Sequence, residues 1–181
     1  MKEVEVLNKG GVILYPTDTI WGLGCDATNR RAVEHLTAIK GREKGKSLLI
    51  LVEDENMLRK YVEQIPEKAL QILRSGTQPT TIIYPKARNL PLDLLSQNGS
   101  IGIRIPNHAY CRQLLAHFGK PIVSTSANFG GMPSPENFSQ IDERLLGLVD
   151  FVAECEREDT KKHAASSVIL IDENGELKQI R

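Results

Sequence analysis

Val168-Ile169-Leu170-Ile171-Asp172-Glu173-Asn174-Gly175-Glu176-Leu177-Lys178-Gln179-Ile180 decides the fold class of this chain. Two short apolar runs flank an Asn-Gly pair, and Asn-Gly favours the tight turn of an antiparallel hairpin. Upstream of it, strands and helices alternate. Gly11-Val12-Ile13-Leu14-Tyr15 is an apolar run ended by Pro16, Thr80-Thr81-Ile82-Ile83-Tyr84 is ended by Pro85, and Ile101-Gly102-Ile103-Arg104-Ile105 by Pro106. Leu48-Leu49-Ile50-Leu51-Val52 reads as a further strand, and Pro121-Ile122-Val123 opens another that runs directly into a polar loop. Between them, Asn29 caps a helix over 29–40 with the stripe Ala32, Val33, Leu36 and Ile39, and Gly41 stops it. Asp54 and Pro66 each open a helix, the second ending near Gly76. Asn107 caps a fourth, carrying Tyr110, Leu114, Leu115 and Phe118 and closed by Gly119. An alternating chain whose strands stop at prolines and whose last two strands form a hairpin predicts an α/β fold with an open, twisted mixed β-sheet surrounded by helices. A doubly wound parallel sheet fits less well.

Length and composition narrow the function classes. A chain of 181 residues with 40% apolar side chains builds one globular domain, here 1–181. Its 23 basic and 23 acidic residues balance, which argues against a dedicated non-specific nucleic-acid binder, since such proteins carry a basic excess. The three cysteines, Cys25, Cys111 and Cys155, lack any C-x-x-C spacing, so neither a structural zinc nor a disulfide framework is expected. With no long apolar run, the expectation is a soluble, cytoplasmic protein with no membrane partner, in which the sequons at Asn98 and Asn137 carry no weight.

Polar motifs recur just after strands, and such positions converge on one rim of a sheet. They are the loop Tyr15-Pro16-Thr17-Asp18-Thr19-Ile20-Trp21-Gly22-Leu23-Gly24, then Lys40-Gly41-Arg42, then Ser124-Thr125-Ser126-Ala127-Asn128. Arginine forks, lysine point charges and short hydroxyl or amide donors are what an anionic nucleotide requires. Each has a plainer reading. Lys40, Arg42, Lys44 and Lys46 also suit a solvated helix C-terminus, Thr17, Asp18 and Thr19 suit a turn, and Trp21 suits a core or rim anchor. Ser124, Ser126 and Asn128 alternate, so an extended chain presents all three to one side. Arg104 shares a strand face with Gly102, which leaves room for a ligand or another backbone, and a buried arginine there needs a carboxylate partner. That partner is either a structural acid or a ligand; the ligand is favoured. Gly41-Arg42-Glu43-Lys44-Gly45-Lys46-Ser47 is not a P-loop: one residue is missing between its glycines, and it follows a helix instead of opening one.

Taken together, the loop from Tyr15 to Gly24, Lys-x-Arg, Ile101-Gly102-Ile103-Arg104-Ile105-Pro106 and Ser-x-Asn resemble the YrdC/TsaC family of L-threonylcarbamoyladenylate synthases, from about Gly10 to the C-terminus. The resemblance implies an open twisted sheet around a concave, positively charged cavity. It implies catalytic roles for Lys40 and Arg42 at the ATP phosphates and the carbonate-derived group. Arg42, Lys46, Ser100, Ser126, Asn128, Ser134 and Arg181 would bind ATP, and Thr19, Arg104, Ser124 and Ser166 would bind threonine. The implied partners are ATP, L-threonine and bicarbonate, with Mg2+ accompanying ATP, no protein-bound structural metal, downstream threonylcarbamoyl-transferase proteins, and tRNA as a candidate for direct contact. Two departures from the pattern bear on substrate fit: Leu51 stands where many members have histidine, and Thr77-Gln78-Pro79-Thr80-Thr81 replaces a Pro-Gly-Pro-Leu-Thr segment. Scattered histidines and no nucleophile elbow suit a reaction run by positioning and electrostatics. The alternatives are an RNA-binding accessory module without synthase activity and a domain using carbamoyl phosphate; the full set of motifs favours the synthase.

Overall fold

A computed structural model of the chain describes residues 1–41, 48–76, 78–161, 165–172 and 174–181. Among them the elements run α1 (Lys2–Asn8), β1 (Ile13–Tyr15), β2 (Gly22–Gly24), α2 (Arg30–Lys40), β3 (Leu49–Leu51), α3 (Glu55–Leu58), α4 (Glu67–Ser75), β4 (Thr80–Tyr84), β5 (Ile101–Arg104), α5 (Ala109–Phe118), β6 (Ile122–Ser126), α6 (Glu143–Leu146), β7 (Phe151–Val152), β8 (Ser167–Ile171) and β9 (Leu177–Gln179). The described strands form one sheet in the order β7-β1-β2-β6-β3-β5-β4-β8-β9. It is mixed, as predicted: β1/β7, β3/β5 and β4/β8 are parallel, while the remaining neighbours are antiparallel. The terminal hairpin pairs Ile169 with Gln179 and Ile171 with Leu177, and Gly175 takes φ +80° at its turn. The result is a single α/β domain with an open sheet flanked by helices.

Local chemistry accounts for the helix ends. Asn29 Oδ1 accepts from the N–H groups of Arg31 and Ala32, and Gly41 closes α2 in the left-handed region that glycine tolerates. Asp54 Oδ1 caps α3, and Gly76 and Gly119 end α4 and α5 with positive φ. One expected cap is displaced. The N-cap of α5 is His108, without a side-chain cap bond, because the Asn107 N–H donates to Asp18 and its side chain accepts from Arg112.

The larger correction concerns the two polar loops. Gly22–Gly24 is a strand, and β6 continues through Ser126. The two segments pair with each other, Gly22 opposite Ser126 and Leu23 opposite Thr125. Polar content masked both. A β-carbon on Gly24 would lie 2.7 Å from the Val123 carbonyl oxygen and 2.7 Å from Tyr15 Cε1, so only glycine lets these backbones approach. α1, α6 and β7 were also not predicted; each is short and carries a weak apolar pattern. The core lies around β1, β3 and β5, where Ile13, Leu14, Leu23, Ile50, Leu51, Ile82 and Ile103 are all buried. No helix among the described residues is long and apolar enough to cross a membrane.

Candidate active site

One face of the central strands is polar, and that face is concave. A cavity of about 280 Å³ is lined by Thr19, Thr81, Arg104, Ser124, Ser126, Ser134, Ser166 and Arg181, with Trp21, Leu49, Gly102 and Val168 among its apolar walls. Strand alternation builds it. Thr81 and Ile83 on β4, Gly102 and Arg104 on β5, and Ser124 and Ser126 on β6 are two residues apart and so face the same side. Gly102 keeps the floor low: a β-carbon there would press on Thr81 Cγ2 at 3.2 Å. Trp21 is 5% exposed and packs its ring on Phe138 with centroids 4.8 Å apart, so it is a rim anchor as expected. Among the described residues the charged side chains in this lining are Arg104 and Arg181. A second depression of about 350 Å³, lined by Asn128, Phe129, Met132, Pro133, Gln140 and Asp142 among others, meets the first at Ser134.

Arg104 is 3% exposed and carries the centre of the floor. Its Nη2 lies 3.3 Å from Asp18 Oδ1, its Nη1 donates to Thr19 Oγ1 at 3.2 Å, and its Nε has no hydrogen-bond partner. The chain therefore supplies the carboxylate that a buried arginine requires, where the ligand had been favoured for that part. The arginine nevertheless lines the cavity with one donor unassigned. Thr19 is itself held. Thr17 Oγ1 donates to the Ile20 carbonyl at 2.8 Å, receives the Thr19 N–H at 3.1 Å, and lies 2.9 Å from Thr19 Oγ1. On the opposite wall, buried Thr81 and Ser166 share a hydroxyl hydrogen bond of 2.8 Å, and Arg181 Nε donates to the Ser166 carbonyl at 3.2 Å.

Lys40 follows Leu36 by one helical turn, so its stem shares the buried face of α2 and its ammonium is carried inward. The side chain is 5% exposed. Nζ donates to the Ser126 carbonyl at 2.5 Å and to Ser126 Oγ and Asn128 Oδ1, both at 3.1 Å. The Gly130 N–H returns to the Lys40 carbonyl at 2.7 Å, which clips the Ser-x-Asn loop onto the end of the helix. Asn128 Nδ2 donates to the carbonyls of Phe129 and Met132. A solvated cap is thus excluded for Lys40: it joins the two motifs of the sequence in space.

Seven of the expected site residues (Thr19, Arg104, Ser124, Ser126, Ser134, Ser166 and Arg181) line the first cavity, and Lys40 and Asn128 bind Ser126 or each other at its edge. Ser100 does not line either cavity; it is buried ahead of β5, with its hydroxyl 2.6 Å from Ser96 Oγ. Arg42 and Lys46 lie outside the described residues, as does most of the rejected P-loop segment. Leu51 is fully buried and pairs in register with Arg104, below the cavity and not on its wall. Two residues escaped the sequence reading, Asp18 and Thr81. Their partners, Arg104 and Ser166, are 86 and 85 positions away, and no local pattern announces such a pair. Among the described residues no group of three or more His, Cys, Asp or Glu could hold a metal ion.

A single sheet with a hydroxyl-rich cavity that holds two arginines on one face defines a small-molecule site on an α/β scaffold. Residues 5–181 match the model of the Sua5/YciO/YrdC family, whose description reads "Telomere recombination". The chain belongs to that family. It is 40% identical over 154 residues to the threonylcarbamoyl-AMP synthase of Pseudoalteromonas translucida, covering 81% of this chain and 82% of that one. With the threonylcarbamoyl-AMP synthase of Xanthomonas euvesicatoria the identity is 34% over 158 residues, covering 86% and 84%. The fold superimposes on P. abyssi Sua5 with a TM-score of 0.90 at 25% identity, over 99% of this chain and 55% of that one. A second structure of the same protein, complexed with L-threonine, gives 0.88 at 24%, over 99% and 52%. The chain thus spans about half the length of the solved Sua5 chains and most of the length of these two bacterial relatives.

Proposed function

We propose that the chain is an enzyme, an L-threonylcarbamoyladenylate synthase acting as a nucleotidyltransferase on L-threonine, bicarbonate and ATP. The observation that carries this reading is the convergence of seven sequence-distant residues on one cavity whose floor is a buried arginine with an unassigned donor. The naming of relatives at 34–40% identity as threonylcarbamoyl-AMP synthases supports it.

In this reading Arg104, Thr19, Ser124 and Ser166 bind the amino acid. The arginine takes the carboxylate by charge-assisted hydrogen bonds in a site shielded from water. The neutral threonine amine adds to bicarbonate, giving a carbamate and water. A carbamate oxygen then forms a bond to the α-phosphorus of ATP as the bond to the β-phosphate bridging oxygen breaks, and pyrophosphate leaves. Ser126, Asn128, Ser134 and Arg181 face the nucleotide, with Lys40 and Arg42 offsetting charge on phosphate and carbonate; Lys46 completes the proposed ATP contacts, and Ser100, buried away from both cavities, is left out of them. Among the described residues the cavity lining offers hydroxyls and no side-chain carboxylate, a donor set that suits a magnesium ion brought in by the triphosphate, which takes few protein ligands. The chemistry then rests on alignment and electrostatics. The product would pass to threonylcarbamoyl-transferase proteins for tRNA modification, in the cytoplasm.

The test is pyrophosphate release by the purified protein with threonine and bicarbonate omitted in turn, and mass analysis of the adenylate. Release that needs both, with a threonylcarbamoyl-AMP mass, is the expected result. Release indifferent to threonine overturns the reading, and RNA binding without ATP turnover would favour an accessory module.

A further inference from the structure

Asp18 does not line the cavity, and its sequence context reads as a turn, yet its side chain is only 6% exposed. An acid buried on a loop is costly unless it is paired. Here Oδ2 accepts the Asn107 N–H at 3.2 Å, and Oδ1, which has no hydrogen-bond partner, forms an ion pair with Arg104 Nη2 at 3.3 Å. Asn107 lies three residues beyond Arg104, so the carboxylate is pinned to the segment that carries the arginine. The next residue, Thr19, takes Nη1 of the same guanidinium. Consecutive residues of one loop thus engage the two terminal nitrogens of the fork, Asp18 by an ion pair and Thr19 by a hydrogen bond, and the remaining Nε has no acceptor.

The arrangement has a consequence for recognition. An arginine side chain has many rotamers, and a ligand that must first order it binds more weakly. A guanidinium already engaged at both tips has fewer orientations to lose. Asp18 also balances the charge of the buried guanidinium.

We propose that Asp18 is a positioning residue: by holding the terminal nitrogens of Arg104, and Thr19 beside them, it orients the guanidinium toward the carboxylate of the amino acid. The inference rests on the reading of this cavity as an amino-acid site.

The experiment compares steady-state kinetics of the full chain with Asp18→Asn, Asp18→Glu, Arg104→Lys, and Arg104→Lys combined with Asp18→Asn. Asp150→Asn serves as a control, because Asp150 also ties a loop, accepting the Val12 N–H at 2.7 Å. Asp18→Asn raises the KM for threonine about tenfold, the scale of one misaligned charge-assisted hydrogen bond, and moves kcat and the KM for ATP less than about twofold. In the Arg104→Lys background the same substitution adds little further change, since Asp18 acts through the arginine. Asp150→Asn lowers the melting temperature without moving the threonine KM. Should Asp18→Asn fail to fold, Asp18→Glu keeps the charge, displaces the fork, and raises the threonine KM severalfold. A threonine KM that is unchanged or lowered overturns the proposal, as does an equal rise in the Arg104→Lys background. Wild-type turnover indifferent to threonine overturns the amino-acid reading and this inference together; threonine-dependent wild-type turnover with an unmoved Asp18 variant overturns the inference alone.

Discussion

The two halves of the cavity are built in opposite ways. The half assigned to the amino acid (Thr19, Arg104, Ser124 and Ser166) is made of polar side chains that are all buried at 3–5% exposure, set in or beside strands and braced by other side chains. The half assigned to the nucleotide is open: Ser126 and Asn128 are half-buried, and Ser134 and Arg181 are exposed, on a strand end, loops and the chain terminus. Most of these buried groups find partners within the chain, so the first half is preorganised and its contacts hold the fold as well as the substrate. An exposed group is satisfied by water and can wait. The difference predicts that substitutions in the first half cost stability and activity together, and that substitutions in the second cost activity alone.

Arg104→Ala is the strongest way to break that contrast. It removes the amino-acid anchor and strands the Asp18 carboxylate in a buried place, at a cost of about 3–5 kcal/mol. Threonine-dependent pyrophosphate release should fall by about two orders of magnitude or more, and urea denaturation should show the stability loss. Retained stability with lost activity would mean that Asp18 is readily resolvated, and the first half would not be preorganised. Lys40→Met comes next, at the junction of the two halves. The stem is kept and the donors to Ser126 and Asn128 are lost, so kcat should fall about a hundredfold with a stability loss of about 1–3 kcal/mol. A stability loss with kcat intact would make Lys40 a brace for the Ser-x-Asn loop and nothing more.

The buried half also carries a pH signature. Burial pushes the Tyr15 phenol, beside Arg104 and Ser124, well above its ordinary value, and burial does the same for Tyr84 on β4. Above pH 10 the unfolded chain sheds these protons and the native chain keeps them, so the native state binds more protons. The stability these two phenols contribute is therefore fully present below about pH 10 and falls as pH rises beyond it, by about 1.4 kcal/mol per pH unit for each phenol. Urea midpoints at pH 9, 10 and 11 measure the slope, and Tyr15→Phe should flatten it.

What the sequence disclosed follows the range of the forces involved. Caps, stops and the terminal hairpin are local, and Asn29, Gly41, Asp54, Gly119 and Asn174-Gly175 announced them from side-chain chemistry alone. The mixed sheet followed from the hairpin. Site residues were legible as a set only through the family resemblance, because a lone Ser134 or Ser166 has no pattern of its own. The polar strands Gly22–Gly24 and Thr125–Ser126 were missed since hydroxyl and glycine content reads as loop, and only pairing across about a hundred residues makes them strands. The same limit hid Asp18. A turn former and a buried counter-ion look alike until Arg104 is brought beside it.

Arg181→Ala is the smallest perturbation and the sharpest test of the open half. The guanidinium is exposed at the cavity rim, and its Nε donates to the Ser166 carbonyl at 3.2 Å. Its backbone, which Ala keeps, accepts from the Val168 N–H and so holds the terminus against β8. Losing an exposed side chain should shift stability by no more than about 0.5 kcal/mol. If the residue closes over the nucleotide, the KM for ATP should rise about three- to tenfold while the KM for threonine holds, because the Thr81–Ser166 hydroxyl pair remains in place. A rise confined to threonine would instead mean that Arg181 acts by bracing Ser166, and the border between the two halves would move from Ser166 to the terminus itself.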